Sequence, residues 1–337
     1  MKPISILLIL AFLTFADPAF LKAGPEGTQS VYLSLRDRLA PSLVRLETTG
    51  GDERVGDVNA IRETTGLIVT SDGFLFSSAA GFAHHPDAVI AVTSDGSRLP
   101  ARIVCTDFVR KITLLKINPP QSASSFPIPE AAAPSTFRVG QKVLTLGRVL
   151  NPSVPSLTTG ILSGKNRQHG LAIQTDAHVS PDNFGGPLLD LDGRVLGVLT
   201  PFGMGENDLL TGVDLYDSGI GFAIPLHDLL ALLPRMKSAS ELRPAPKLGL
   251  LFRNPSPILT DTLVLMTEPD SLAHAAGIQP GDRITHADGQ PLTRASDFQA
   301  ALARHFQGET LELTILRKNE TISVRILLKD LEKKEEN

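Results

Sequence analysis

The sequence predicts a mostly β protein, with two all-β halves built as barrels or sandwiches of antiparallel strands, followed by a compact α+β module. Three observations carry this. From Ser42 to about Thr200, short apolar runs are separated by turn signals, among them Asp72-Gly73, Asp95-Gly96 and Asp192-Gly193, which favour tight hairpins. A stretch rich in Pro, Ser and Ala, from Pro119 to Ser135, divides that region and reads as a connector. Beyond a polar, Pro-bearing linker over 237–246, the chain mixes strand runs with two short helical patterns.

Taken in order, Met1-Lys2-Pro3 precedes an apolar stretch from Ile4 to Ala16, short of the roughly 20 residues that span a bilayer. It reads as a secretory signal peptide over 1–23, with cleavage after Ala16 or Ala23; an uncleaved anchor is the alternative. No cysteine follows it to take a lipid. The chain is therefore expected in the periplasm or secreted, free of the membrane once the signal is removed. Tyr32 to Leu39 is a candidate N-terminal contact, or an element packed on its own barrel.

The first half offers strand runs at 42–47, 66–70, 74–76, 88–92 and 112–117, and the second begins with 142–146. Leu226 to Pro234 is apolar at helical spacing. In the C-terminal module the strand runs are 262–266, 310–316 and 321–328, and the helical patterns are 270–276 and 295–305. Gly277 stands where a helix-terminating glycine belongs. A charged tail over 330–337 ends the chain.

Composition narrows the function classes. Of 337 residues, 42% are hydrophobic and 20% charged, which is ordinary for a globular protein. The 32 Lys and Arg against 36 Asp and Glu give a net charge of -4, so nucleic acid and anionic membrane are not expected partners. The single cysteine, Cys105, makes no internal disulfide and reads as a small buried hydrophobe. With no C-x-x-C pair and no His cluster, neither metal nor cofactor is expected.

The run Gln174 to Gly197, containing Asp182-Asn183-Phe184-Gly185-Gly186-Pro187-Leu188, resembles the nucleophile region of the HtrA (DegP/DegS-like) trypsin-fold serine proteases. Shorter matches in the same order are Pro41-Ser-Leu-Val-Arg45, Thr65-Gly-Leu-Ile-Val69, Ile112-Thr-Leu-Leu-Lys116, Thr159-Gly-Ile-Leu-Ser163 and Gly219-Ile-Gly-Phe-Ala-Ile-Pro225. The resemblance implies a trypsin-like double β-barrel over 30–236 and a PDZ domain over 247–329, the latter carried by Lys247-Leu-Gly-Leu250 and Ala276-Gly-Ile-Gln-Pro-Gly-Asp-Arg-Ile284.

The departures from the family pattern bear on activity. The family's catalytic serine falls on Phe184, its histidine on Ala80 and its aspartate on Lys111, so no triad position keeps its chemistry. The oxyanion loop becomes Asp182 and Asn183, with Asp182 in place of a glycine whose positive φ aims the amides inward; strain is expected there. His84 and His85 read as exposed loop residues, Ser180 lies too far from the nucleophile position, and Asp107 reads as a turn cap. The resulting expectation is a pseudoprotease that binds peptide or protein C-termini through Leu248, Gly249 and Leu250, in a protein quality control setting. The alternatives are a serine endopeptidase with unrecognised catalytic groups, or an inactive subunit in a homo-trimer or in a mixed oligomer with an active relative.

Overall fold

The computed structural model describes residues 25–55, 58–120, 124–202, 218–253 and 261–330. The segment expected as a signal peptide over 1–23 and the charged tail beyond Asp330 lie outside the described residues. Helix α1 (Pro25–Leu39) leads through a 3-10 turn (Ala40–Ser42) into the first barrel. Leu35 and Leu39 on α1 are buried in the main core, so the segment expected at Tyr32 to Leu39 is a helix packed on its own barrels.

The first barrel is built from β1 (Leu43–Thr49), β4 (Glu63–Ile68), β5 (Phe74–Ser78), β6 (Ala88–Val92), β7 (Arg98–Asp107) and β8 (Ile112–Lys116), with β2 (Arg54–Val55) and β3 (Val58–Asn59) forming a small ribbon outside it. The order β7-β6-β1-β4-β5-β8 closes because β8 also pairs with β7. Alternation along β1, where Val44 and Leu46 face one cluster and Leu43 another, follows from the two-residue period of a strand. Cys105 is fully buried on β7, and burial pushes its thiol up to about 11.

The connector between the halves is pinned at both ends. Phe126 is buried and donates its N–H to Ser71, while Ala132 donates to the carbonyl of Val195. The second barrel closes in the order β10-β11-β14-β13-β12-β9, from β9 (Lys142–Gly147), β10 (Ser156–Arg167), β11 (Ala172–Thr175), β12 (Pro187–Leu189), β13 (Val195–Leu199) and β14 (Gly221–Pro225).

Helix α2 (Leu226–Ser238) buries Leu226, Leu229, Leu233 and Met236, a spacing of three, four and three that makes one apolar stripe. The segment expected as a linker, 237–246, is not a free tether. Its first residues complete α2, and β15 (Glu241–Leu242) joins the first barrel's sheet, parallel to β7 at Thr106 and Asp107. Leu242 is buried in the barrel core, and that apolar side chain is what holds the connector down.

The C-terminal module contains β16 (Leu250–Phe252), β17 (Val264–Thr267), α3 (Leu272–Ala275), β18 (Arg283–Ala287), β19 (Gln290–Pro291), α4 (Ala295–Leu302), β20 (Thr310–Arg317) and β21 (Glu320–Leu327). Both helices are shorter than their sequence patterns. Chain reversal after Leu302 places Phe306 in the main core shared by the barrels and α2, not in that of its own module. There the ring lies 4.4 Å from the Arg235 guanidinium and 5.4 Å from that of Arg110, and Arg235 also pairs with Glu309. Barrel and module are therefore joined by a strand, an aromatic wedge and an ion pair.

Candidate functional site

Strand pairing places the three positions of interest side by side. β5 runs antiparallel to β8 with Ser78 opposite Ile112, which sets the 3-10 turn Ala79–Phe82 beside Lys111. The Ala79 N–H donates to the Lys111 carbonyl at 2.9 Å, and the Thr200 hydroxyl donates to the same carbonyl at 3.0 Å. Lys111 takes a left-handed φ of 56° and is only 4% exposed. Its ammonium lies 5.2 Å from the centre of the Phe202 ring.

Phe184 is anchored from the other barrel. Its carbonyl accepts the Thr65 N–H at 3.0 Å and the Thr64 hydroxyl at 2.7 Å. The side chain is 2% exposed and belongs to one apolar cluster with Ala80, Ala83, Phe137, Val143, Leu162 and Leu188. Gly185 follows at φ 82°, where a Cβ would sit 2.0 Å from the Thr65 carbonyl oxygen, so only glycine fits between the barrels. The Phe184 ring and the Ala80 methyl thus share one apolar cluster, while the Lys111 ammonium lies against the Phe202 ring.

The loop before Phe184 is wound as a turn. The N–H groups of Asn183 and Phe184 both donate to the Ser180 carbonyl, at 3.0 and 3.1 Å, and Gly186 donates to Asn183 at 2.9 Å. The Asn183 side chain is buried, donating to the Thr145 hydroxyl at 3.1 Å and the His178 carbonyl at 3.0 Å. Asp182 does not carry the left-handed backbone expected of it. The loop is rewound, so no positive φ is required. Its carboxylate turns to the 148–156 loop instead of the cleft, accepting the Leu150 N–H at 2.9 Å and the Ser156 hydroxyl.

The displaced histidines divide. His85 is exposed at the loop surface, 3.7 Å from the Asp52 carboxylate. His84, expected to be exposed, is fully buried with neither ring nitrogen hydrogen-bonded. Burial holds its pKa below the usual range, with a smaller contribution from the Arg62 charge. Asp107 caps its turn, accepting the N–H groups of Val109 at 2.9 Å and Arg110 at 3.1 Å. Arg148 was not singled out by sequence reasoning, yet it is fully buried and donates to the carbonyls of Pro152 at 2.6 Å and Ala40 at 2.9 Å. Burial pulls its pKa down to about 10. Its partners are backbone carbonyls far apart in sequence, so no motif could have marked it.

At the C-terminal module, β16 pairs only with β17 among the described residues, leaving its second edge open. Across that edge stands α4, whose Phe298 ring meets Phe252 edge-on at 5.4 Å. Leu248 is buried, and its carbonyl accepts the Ala273 N–H at 2.9 Å. Gly249 has φ 72°, and a Cβ there would lie 2.3 Å from the Ser271 Cβ. The loop into β16 is therefore built on backbone. Among the described residues, no group of three or more His, Cys, Asp or Glu is placed to hold a metal ion.

Comparison with known proteins agrees with this architecture. Residues 63–198 match the trypsin-like peptidase domain family, and residues 246–328 match the PDZ domain family. A probable periplasmic serine endoprotease, DegP-like, of Halomonas elongata is 27% identical over 280 residues, covering 79% of this chain and 56% of its own length. The mitochondrial serine protease HTRA2 of Drosophila persimilis is 28% identical over 338 residues, covering 90% of this chain and 72% of its own. This chain thus spans little more than half the length of the DegP-like relative. Among solved structures, an HtrA-type protease, AlgW, with a tripeptide superposes with a TM-score of 0.67 at 24% identity, over 88% of this chain and 96% of that one. A serine endoprotease from Yersinia pestis gives 0.63 at 23%, over 89% and 98%. With two closed six-stranded barrels matching a trypsin-like peptidase domain, followed by a PDZ domain, this chain has the fold of the HtrA-type proteases and is similar to them along most of its length.

Proposed function

We propose that this protein is a non-catalytic HtrA-like pseudoprotease that serves as an exported scaffold for peptide or protein C-termini. The observation that carries the proposal is Phe184, an aromatic ring 2% exposed where the family's nucleophile is expected. Acyl transfer on this fold needs a hydroxyl, an imidazole to take its proton, a carboxylate to orient that imidazole, and free amide donors for the oxyanion. Phe184, Ala80 and Lys111 supply a phenyl ring, a methyl and an ammonium. The amide of Phe184, which stands at the nucleophile position, is committed to the Ser180 carbonyl. Relatives named as proteases do not alter this chemistry, because a fold does not transmit an activity whose groups are missing.

In this reading, the ligand adds as a strand to the open edge of β16, and its terminal carboxylate is held by backbone amides of the loop over Leu248, Gly249 and Leu250. Export rests on the apolar segment from Ile4 to Ala16, and relatives named as periplasmic support it. The deciding experiment sets the purified protein against peptides with free and amidated C-termini, alongside casein turnover and a fluorophosphonate probe. Free-end selectivity without turnover or labelling is expected. Stoichiometric labelling of any serine would overturn the non-catalytic reading, and equal binding of both peptide forms would overturn the groove.

A further inference from the structure

His84 stands apart from the chemistry described so far. It is fully buried, and neither of its ring nitrogens has a hydrogen-bond partner. A neutral imidazole carries one N–H and one lone pair, so both are left unmatched. A second proton would worsen the mismatch, because the ring would then hold a buried charge and two donors with nothing to accept from them. Burial is the largest influence on the ring and holds its pKa below the usual range. The charge of Arg62 acts the same way, as does His85, and the Asp52 carboxylate opposes them. That carboxylate is also 3.7 Å from the exposed His85 ring, so His84 does not have it alone.

Arg62 and Asp52 both belong to the arms of the ribbon made by β2 and β3. The ribbon leaves β1 through Gly50 and Gly51, each at a left-handed φ of 74°. Two adjacent glycines give the chain its freest joint. Close packing also demands them, since a Cβ on Gly51 would collide with the His84 carbonyl oxygen and one on Gly50 with the Asp87 carboxylate. The Asp52 N–H donates to the His84 carbonyl at 2.8 Å, and the Arg62 guanidinium donates to the Gly50 carbonyl at 2.9 Å. The base of the ribbon is therefore fastened to the very residue that carries the unmatched ring. Farther along, Val55 and Ile61 pack on the apolar cluster of Ala80, Ala83 and Phe184. The ribbon covers part of the vestigial cleft.

We propose that the two arms of this ribbon, 51–55 and 59–62, form an acid-released cover: protonation of His84 swings them about Gly50 and Gly51 and uncovers the apolar cluster around Phe184. An imidazolium gains water and leaves the neighbourhood of Arg62 only if the fastening at Asp52 lets go. Proton uptake therefore favours the open form. With Val55 and Ile61 withdrawn, the surface presented is apolar. The cover acts in the first barrel and does not rest on peptide capture by Leu248, Gly249 and Leu250.

Hydrogen exchange of the purified protein at pH 7 and pH 5 tests this, read by mass spectrometry over 48–62 and corrected for the intrinsic effect of pH. If the histidine of the open form titrates near 6.5, opening can rise by at most about 25-fold across that interval. Protection over 48–62 is expected to fall more than about threefold while β12 and β13 stay unchanged, and the fluorescence of Nile red, a neutral apolar dye, should rise. His84→Leu and His84→Gln, which do not titrate, should abolish both responses, whereas His85→Gln should keep them. Equal protection of the unaltered protein at the two pH values would overturn the proposal, as would a full acid response in either folded His84 variant. Protection lost evenly over both barrels would mean global unfolding and would overturn it too. Should both His84 variants fail to fold, the unaltered protein and His85→Gln still decide, since a response lost with His85 assigns the wrong histidine. Gly249→Val should keep the acid response, so failure of the peptide groove and failure of the cover are told apart.

Discussion

Restoring a serine at position 184 is the perturbation that most directly separates a resting protease from a decayed one. The Phe184 ring is 2% exposed, in a cluster with Ala80, Val143, Leu162 and Leu188, so Phe184→Ser deletes most of a buried aromatic side chain. Truncating a buried phenylalanine costs about 3–5 kcal/mol through lost transfer energy and the cavity left behind. The new hydroxyl faces apolar neighbours, and an unsatisfied buried polar group adds about 1–3 kcal/mol unless water enters with it. At a urea slope of about 3 kcal/mol per molar, the smaller of these sums moves the unfolding midpoint down by about 1 M or more. The assay is urea unfolding followed by far-ultraviolet circular dichroism, with casein turnover measured on the same preparation. The variant is expected to be markedly less stable and wholly inactive, since Ala80 still provides no base and Lys111 no carboxylate. An unchanged midpoint would show that the ring is not part of the core. Casein cleavage by this single variant would refute the account of the site outright.

Three further outcomes follow from the same geometry. Burial lowers the pKa of His84 in the folded protein while an unfolded histidine titrates near 6.5, so the unfolded chain takes up its proton first as the pH falls. Stability should therefore fall as pH drops below about 6.5, by at most about 1.4 kcal/mol per pH unit from this group. His84→Leu should flatten that slope, and parallel pH profiles for the two proteins would discount the residue. Phe306→Ala removes the wedge between Arg110 and Arg235 and is expected to cost about 3–5 kcal/mol, with faster proteolysis of the connector around 239–247. An unchanged digestion pattern would mean that the strand pairing at Glu241–Leu242 suffices alone. Gly249→Val places a β-branched side chain at φ 72° against Ser271 and should weaken free-carboxylate peptides at least tenfold; affinity retained in a direct titration would move the groove elsewhere.

Much of the architecture was legible in the linear order of residues. Two-residue alternation between Asp-Gly turns is a local signal, and it marked β6 and β8 almost to the residue. That Phe184, Ala80 and Lys111 stand where the family's triad is expected is a reading of the sequence alone, because alignment to a motif needs nothing else. Three features depended on partners distant in the chain. The 237–246 segment looked like a linker because it is polar and contains proline, yet one apolar residue, Leu242, lands in a barrel core. Asp182 was expected to be strained on the assumption that the loop keeps the family's course; hydrogen bonds from Asn183 and Phe184 to Ser180 wind it differently. His84 looked exposed, but the turn at Gly51 and Asp52 lies against its backbone, the Asp52 N–H donating to its carbonyl, and burial is a property of what packs around a residue. Sequence by itself determined which chemical groups the site can contain, since side-chain identity is local. Only the tertiary structure decided which of them are buried, which amides are already spent and which domains share a wall, because each of those depends on contacts made across the whole chain.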